Sequence, residues 1–161
     1  MAREIERKFL LASDAWRALV KRTEPMSQGY IASGKRVSVR VRIAGDSAWL
    51  NIKSGDLVAS RLEYEYAIPV ADAHELLTLA EGPLIDKTRH FVEHGGKTWE
   101  VDEFHGENSG LVVAELELDH EDERFPRPPW LGDEVTHLKR YYNVCLVTHP
   151  FSAWTEAERK Q

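Results

Sequence analysis

Ionisable side chains recur two apart along this chain, and they come as doublets of one sign. Glu4 and Glu6, Glu63 and Glu65, Glu100 and Asp102, and Glu115 and Glu117 are paired carboxylates. Arg40 and Arg42, and Lys87 and Arg89, are paired cations. Lys8 continues the Glu4, Glu6 series, and Lys53 follows Asn51 at the same spacing. Apolar residues stand at the alternate positions, such as Val39, Val41 and Ile43 around the arginines and Leu116 and Leu118 around the last glutamates. Residues two apart on a β-strand share a face, so each segment has one charged and one apolar face. Arginine holds oxyanions with a planar fork and lysine with a point charge. Carboxylates without cysteine or histidine partners suit hard cations such as Mg²⁺ or Mn²⁺. Both sets in one cavity read as a metal–polyphosphate site.

Two placements of the charged face are open. An ordinary half-solvated sheet turns it to water. A closed barrel turns it inward and packs its apolar face beneath helices and loops. The like-signed doublets favour the barrel, because neighbouring like charges on a solvated face repel without compensation. A charged interior is costly unless a ligand or counter-charges complete it. A ladder of internal salt bridges is thus the alternative to a bound ligand, and spacing leaves both readings standing.

The elements that must position these residues are mostly strands. Alternation predicts strands over 4–11, 37–43, 48–53, 61–68, 87–93, 97–104 and 111–118. Gly45-Asp46 and Gly95-Gly96 mark hairpin turns. Helices are fewer. Trp16, Leu19 and Val20 predict one over 14–22; Asp72 and Glu75 open a second over 72–81 that Gly82-Pro83 stops. Phe125-Pro126-Arg127-Pro128-Pro129-Trp130 reads as a loop pinned by its tryptophan, with a short helix near 134–142 after it. Residues 152–161 read as a frayed helix or a disordered tail. The class is mainly β (α+β): short turns and many strands point to a sheet that closes on itself.

A chain of 161 residues suits one domain, taken as 1–161 with a core over about 2–148 and a tail over 149–161. The net charge of −6 gives no surface footprint for nucleic acid or an acidic membrane. The single cysteine, Cys145, permits no intrachain disulfide and sits in the apolar run Val144–Val147 as a packed residue. Neither a signal-peptide h-region nor a run near the ~20 apolar residues of a membrane helix is present, so a cytoplasmic protein is expected. His90 and His94 lie about 13 Å apart on a strand, too far for one zinc ion. The five tryptophans read as core or loop anchors, and no glycine-rich phosphate loop of the Walker type occurs.

Glu4-Ile5-Glu6-Arg7-Lys8 resembles the Glu-x-Glu-x-Lys signature of the CYTH superfamily, the triphosphate tunnel metalloenzymes. The resemblance continues, in the family's order, through Gln28-Gly29-Tyr30, Arg40-Val41-Arg42, Ile52-Lys53, Glu63-Tyr64-Glu65, Lys87-Thr88-Arg89, Glu100-Val101-Asp102, Glu115-Leu116-Glu117 and Lys139-Arg140-Tyr141. The short length and the Pro128–Thr136 segment look like the compact bacterial members, which are mostly tripolyphosphatases. The resemblance implies a closed eight-stranded antiparallel barrel forming a tunnel, and Mg²⁺- or Mn²⁺-dependent hydrolysis of inorganic tripolyphosphate to pyrophosphate and phosphate. Other outcomes in the family's range are nucleoside or thiamine triphosphatase and class IV-type adenylyl cyclase. A non-catalytic polyphosphate-binding module is a further alternative. By position, Lys8, Tyr30, Arg40, Arg42, Lys53, Lys87, Arg89, Lys139 and Arg140 would bind the phosphates, the last two from a late helix that caps the tunnel. Glu4, Glu6, Glu63, Glu65, Asp102, Glu115 and Glu117 would serve the metal. Glu6, Glu117, Lys87 and Lys139 would take part in the chemistry. The expected partner is a small triphosphate, with no nucleic acid or membrane, for a monomer or homodimer. The basic stretch Ser33-Gly34-Lys35-Arg36 reads as a solvated turn.

Overall fold

Nine antiparallel strands carry the chain, and eight of them close a ring. The computed structural model describes residues 3–160; Met1, Ala2 and Gln161, the ends of the expected domain, lie outside the described residues. The strands are β1 (Arg3–Leu11), β2 (Val20–Ser33), β3 (Val37–Ala44), β4 (Ser47–Ser54), β5 (Ser60–Ile68), β6 (Ile85–His94), β7 (Lys97–Phe104), β8 (Val112–Glu117) and β9 (Leu131–Glu134). Around the ring they run β1, β5, β4, β3, β2, β6, β7, β8 and back to β1, with β9 added on the far half of β1. The register sets charged and polar residues opposite one another: Glu6 with Glu117, Lys8 with Glu115, Arg40 with Asn51, Lys53 with Glu63 and Arg89 with Asp102. A period of two then sends all of these to the same, inner side of the wall.

The apolar residues between them face out; most are covered, while Leu62, Tyr64 and Tyr66 of β5 stay exposed. Phe9, Trp99 and Val101 pack with Trp16, Trp130 and Leu131 under the turn after β1 and the proline-rich loop. Phe104, Val113 and Leu111 pack with Tyr141, Leu146 and Trp154 of the C-terminal segment. Helix α1 (Val70–Leu77) lays Ala73 and Leu77 on Val41 of β3 and Ala48 of β4. Two further short helices, α2 (Asn143–Thr148) and α3 (Glu156–Arg159), complete the described chain. Gly95 and Gly96 turn the β6–β7 hairpin with φ of 58° and 77°, the left-handed pair that a two-residue hairpin turn needs.

The structure departs from the sequence-based elements in four places. The helix expected over 14–22 is one 3-10 turn, Ala15–Leu19, because Val20 is already paired with Val92 of β6. The strand that follows, β2, is the longest in the chain and shows no alternation of apolar residues that would reveal it. In place of a helix near 134–142 stand β9 and a 3-10 turn, Lys139–Tyr141. The tail is anchored: Trp154 is buried, and Thr155 and Glu158 form a capping box at the start of α3. No helix among the described residues is long and apolar enough to cross a membrane.

Candidate active site: a charged tunnel

The barrel encloses a cavity of about 390 Å³ whose lining is mostly polar. Seven cations line it: Lys8, Arg40, Arg42, Lys53, Arg61, Lys87 and Arg89. Eight carboxylates join them: Glu4, Glu6, Glu24, Glu63, Glu65, Glu100, Glu115 and Glu117. Every barrel strand contributes at least one. None of the lining residues is a histidine or cysteine, so any cation held here would be a hard one.

The carboxylates gather where β1 lies between β8 and β5. Lys8 Nζ sits 3.0 Å from Glu6 and 3.3 Å from Glu115. Lys53 Nζ lies 2.9 Å from Glu4 and 3.3 Å from Glu63, with Arg61 a further 3.9 Å contact to Glu4. Burial opposes ionisation of Glu6, but Lys8 and Lys53 outweigh it and hold its carboxyl down at about 2. Burial likewise opposes the Lys8 ammonium, and Glu115 and Glu6 overcome it and raise its pKa. Glu117 differs: it makes no ion pair or hydrogen bond among the described residues. Burial and then Glu4, Glu6 and Glu63 push its carboxyl up.

The cations gather where β6 lies between β2 and β7. Asp102 is fully buried and accepts from Lys87 Nζ at 2.7 Å, Arg89 Nε at 2.8 Å and Arg89 Nη2 at 2.9 Å. Burial penalises its charge, but Arg89 and Lys87 bring its pKa below the usual carboxylate range. Burial lowers Lys87 to about 7 despite Asp102. Burial and the nearby Arg40 and Arg89 lower Arg42 to about 9. Glu100 Oε2 takes Arg89 Nη1 at 2.6 Å, yet burial and Glu115 push it up to about 7. Arg40 and Arg42 have no carboxylate partner among the described residues; Arg42 Nε donates only to Gln28, and the buried Nε of Arg40 has no partner at all.

One side of the cavity is built by the C-terminal segment. Tyr142, Asn143 and Val144 line it. The Tyr142 ring lies 4.9 Å from Lys8 Nζ and 5.4 Å from the Arg61 guanidinium, and its hydroxyl donates to the Thr136 carbonyl at 2.9 Å. Asn143 Oδ1 accepts from Gln28 Nε2 at 2.8 Å and from Lys87 Nζ at 3.0 Å.

The chain and its fold have counterparts among known proteins. The CYTH domain model matches residues 2–148. The chain belongs to the CYTH domain family. An inorganic triphosphatase of Acetivibrio thermocellus is 48% identical over 157 residues, covering 97% of this chain and 100% of that protein. An inorganic triphosphatase of Nitrosomonas europaea is 38% identical over 149 residues, covering 89% of this chain and 96% of that protein. The crystal structure of an inorganic triphosphatase matches with a TM-score of 0.63 at 34% identity, covering 89% of this chain and 93% of that one.

In this CYTH domain the cavity lining brings together thirteen of the residues singled out in the sequence: Glu4, Glu6, Lys8, Tyr30, Arg40, Arg42, Lys53, Glu63, Glu65, Lys87, Arg89, Glu115 and Glu117. Three lie elsewhere. Asp102 stands behind the lining, its oxygens taken by Lys87 and Arg89, so its place is that of a counter-ion. Lys139 is exposed and off the cavity, and Arg140 donates to the Glu158 carbonyl at 3.1 Å beside the Tyr141 and Trp154 rings. The cause is local: the 3-10 turn buries Tyr141 and sends Tyr142 and Asn143 inward in place of the basic pair. The sequence reading gives no site role to Glu24, Gln28, Asn51, Arg61, Glu100, Tyr142 and Asn143, although it pairs Glu100 with Asp102 and sets Asn51 on the face of Lys53. Arg61 shares the parity of Glu63, and Asn51 that of Lys53, so both were within reach of the two-residue spacing. Trp49 also lines the cavity, whereas the other four tryptophans are buried outside it. His90 lies against Trp16 and Glu103, away from the tunnel. Internal salt bridges and unpaired cations thus coexist in the tunnel: its three lysines are paired, and among the described residues Arg40 and Arg42 have no carboxylate partner.

Proposed function

We propose that the chain hydrolyses linear triphosphates, inorganic tripolyphosphate first, to pyrophosphate and phosphate, and that it requires Mg²⁺ or Mn²⁺. The observation that carries this reading is the asymmetry of the tunnel. Two arginines without carboxylate partners, Arg40 buried and Arg42 half-buried, share the lining with eight carboxylates. Buried cations of that kind are stable only with an anion, and Arg40 and Arg42 together present the forks that phosphate oxygens fill. Two relatives that match over most of the chain are inorganic triphosphatases.

The metal requirement follows from charge. The lining carries eight carboxylates against seven cations, so a highly charged polyanion would enter a cavity already slightly negative. Among the described residues no three histidine, cysteine, aspartate or glutamate groups form a ready-made cage. Mg²⁺ is bound instead through one or two carboxylates together with substrate phosphates and water. Glu4, Glu6, Glu115 and Glu117, with Glu63 and Glu65, supply that donor set. Bound there, the ion would offset phosphate charge and polarise the phosphoryl oxygens.

The protein's own groups do the rest. Arg40, Arg42, Lys87 and Arg89 hold the phosphate chain, and their charge stabilises the electron pair that the departing pyrophosphate takes from the broken P–O bond. Asp102 keeps Lys87 and Arg89 in place without touching the substrate. Lys8 and Lys53 bridge the two walls. Water attacks the terminal phosphorus, and its proton passes to a carboxylate. Glu117 is the favoured acceptor, because Glu6 is engaged with Lys8 while Glu117 is unengaged. The site is small and polar, which suits a free triphosphate in the cytoplasm and not a nucleic acid.

The test is phosphate release from tripolyphosphate, ATP and thiamine triphosphate, each with Mg²⁺, Mn²⁺ or EDTA. Release that is fastest from tripolyphosphate and abolished by EDTA is expected. Cyclic AMP formed from ATP without phosphate release would point to a cyclase. Binding of tripolyphosphate without turnover would leave only a binding module. Glu117→Gln should lower kcat by roughly 10²–10⁴-fold, the usual weight of general-base catalysis.

A further inference from the structure

The amide of Asn143 has an orientation fixed by its neighbours. As an ammonium paired with Asp102, Lys87 Nζ can only donate, so the atom it meets at 3.0 Å is the Asn143 oxygen. Gln28 is fixed in the same way. Arg42 Nε is donor-only, so it meets the Gln28 oxygen at 2.9 Å, and the Gln28 amino group is left to donate to the same Asn143 oxygen at 2.8 Å. Gln28 is fully buried and Asn143 nearly so, and turning either amide over would set donor against donor with no water to relieve it. Asn143 Nδ2 is therefore the free limb. It makes no hydrogen bond among the described residues, it is not among the side-chain atoms sealed from solvent without a partner, and Asn143 lines the cavity.

We infer that Asn143 is a substrate-binding residue: its Nδ2 donates to a phosphate oxygen beside Lys87, and Gln28 is the residue that orients it. The inference rests on the triphosphate-hydrolase reading and deepens it. A neutral donor adds hold on the phosphate without adding to the repulsion among Arg42, Lys87 and Arg89. It also links ligand and fold, because the segment from Tyr142 to Val144 is drawn to the wall by the same amide that would grip the substrate.

Two substitutions separate gripping from latching. In Asn143→Asp the new carboxylate accepts from Gln28 and Lys87 as the amide oxygen did, so the latch stays; the limb facing the cavity becomes an acceptor. In Asn143→Ala both latch and donor go. A hydrogen bond to a charged group corresponds to about tenfold or more in affinity. The KM for tripolyphosphate, measured with kcat and the thermal unfolding midpoint, should rise about tenfold in Asn143→Ala and further in Asn143→Asp. The Asn143→Asp midpoint should match the unsubstituted chain. On lowering the pH the Asn143→Asp KM should move back toward that of the unsubstituted chain at the same pH, as the new carboxyl regains a proton to donate. An Asn143→Asp KM within twofold of the unsubstituted chain would show a latch alone and overturn the proposal, as would an unchanged KM in Asn143→Ala. Failure of the unsubstituted chain to hydrolyse tripolyphosphate would instead strike the functional reading, and tripolyphosphate binding to the three proteins would then be compared by calorimetry with the same expected order.

Discussion

Asp102 accepts three hydrogen bonds from two cations while remaining wholly out of water. Removing its charge strands Lys87 and Arg89 in the interior, and breaking a buried pair of this kind costs about 3–5 kcal/mol. Asp102→Asn should therefore lose roughly that much stability in urea denaturation, a larger loss than Glu65→Gln at the half-open end of β5. Glu100 gives a pH-dependent counterpart. Burial raises its carboxyl from 4.5 in the unfolded chain to about 7, against the pull of Arg89. Its contribution to stability is full below 4.5 and is lost as the pH rises through 7. Glu100→Gln, neutral at every pH, should raise the unfolding midpoint by roughly 3–6 °C at pH 8 and leave it nearly unchanged at pH 4. The doublet spacing made Glu100 and Asp102 visible as a pair, since both oppose Trp99 and Val101. It could not say that one lines the cavity and the other stands behind it. That division depends on how far Arg89 reaches across from β6, a cross-strand distance with no trace in local sequence.

At the scale of elements, β2 explains what the sequence concealed. Its inward residues Glu24, Met26, Gln28 and Tyr30 mix charge, sulfur, amide and ring, and its outward ones include Thr23, Pro25, Ser27 and Gly29. With register irregularities near both ends, no period of two survives in its hydrophobicity. Strands β3, β6 and β8 kept that period and could be read. The Gln28-Gly29-Tyr30 segment now has a physical account. Gln28 and Tyr30 point into the tunnel, and Gly29 faces α1 so closely that a Cβ there would come within 2.7 Å of Leu84 and 3.0 Å of Ala80 and Leu77. Gly29→Ala should push α1 and the Ala80–Leu84 turn off the wall and cost about 1–3 kcal/mol, as overpacking does. Thermal unfolding would show this while tripolyphosphate KM changes little. The late helix that was expected to deliver Lys139 failed for a related reason. Its apolar residues, Val135, Leu138 and Tyr141, are spent on an external cluster, and that packing leaves Lys139 in solvent.

For the molecule as a whole, an acidic chain keeps a third of its cations, seven of 21, on the lining of its tunnel. The net charge of −6 argues against polyanions at the surface, yet seven cations line the interior. Closing the sheet does this: with eight strands in a ring, period-two patterning assigns each side chain to lumen or exterior and leaves no unpaired barrel edge. The pairing of Lys8 with Glu6 and Glu115, and of Lys53 with Glu4 and Glu63, has a kinetic consequence. Ligand entry is an exchange of partners, in which phosphate takes the lysines and the released glutamates need a cation at the same moment. Under the metal-dependent reading, the competent visitor is the metal–triphosphate complex, and bare triphosphate occupies the lysines while leaving the glutamates in mutual repulsion. At fixed Mg²⁺ the rate should therefore climb with tripolyphosphate until the two concentrations are about equal, then fall as uncomplexed chains take over the tunnel.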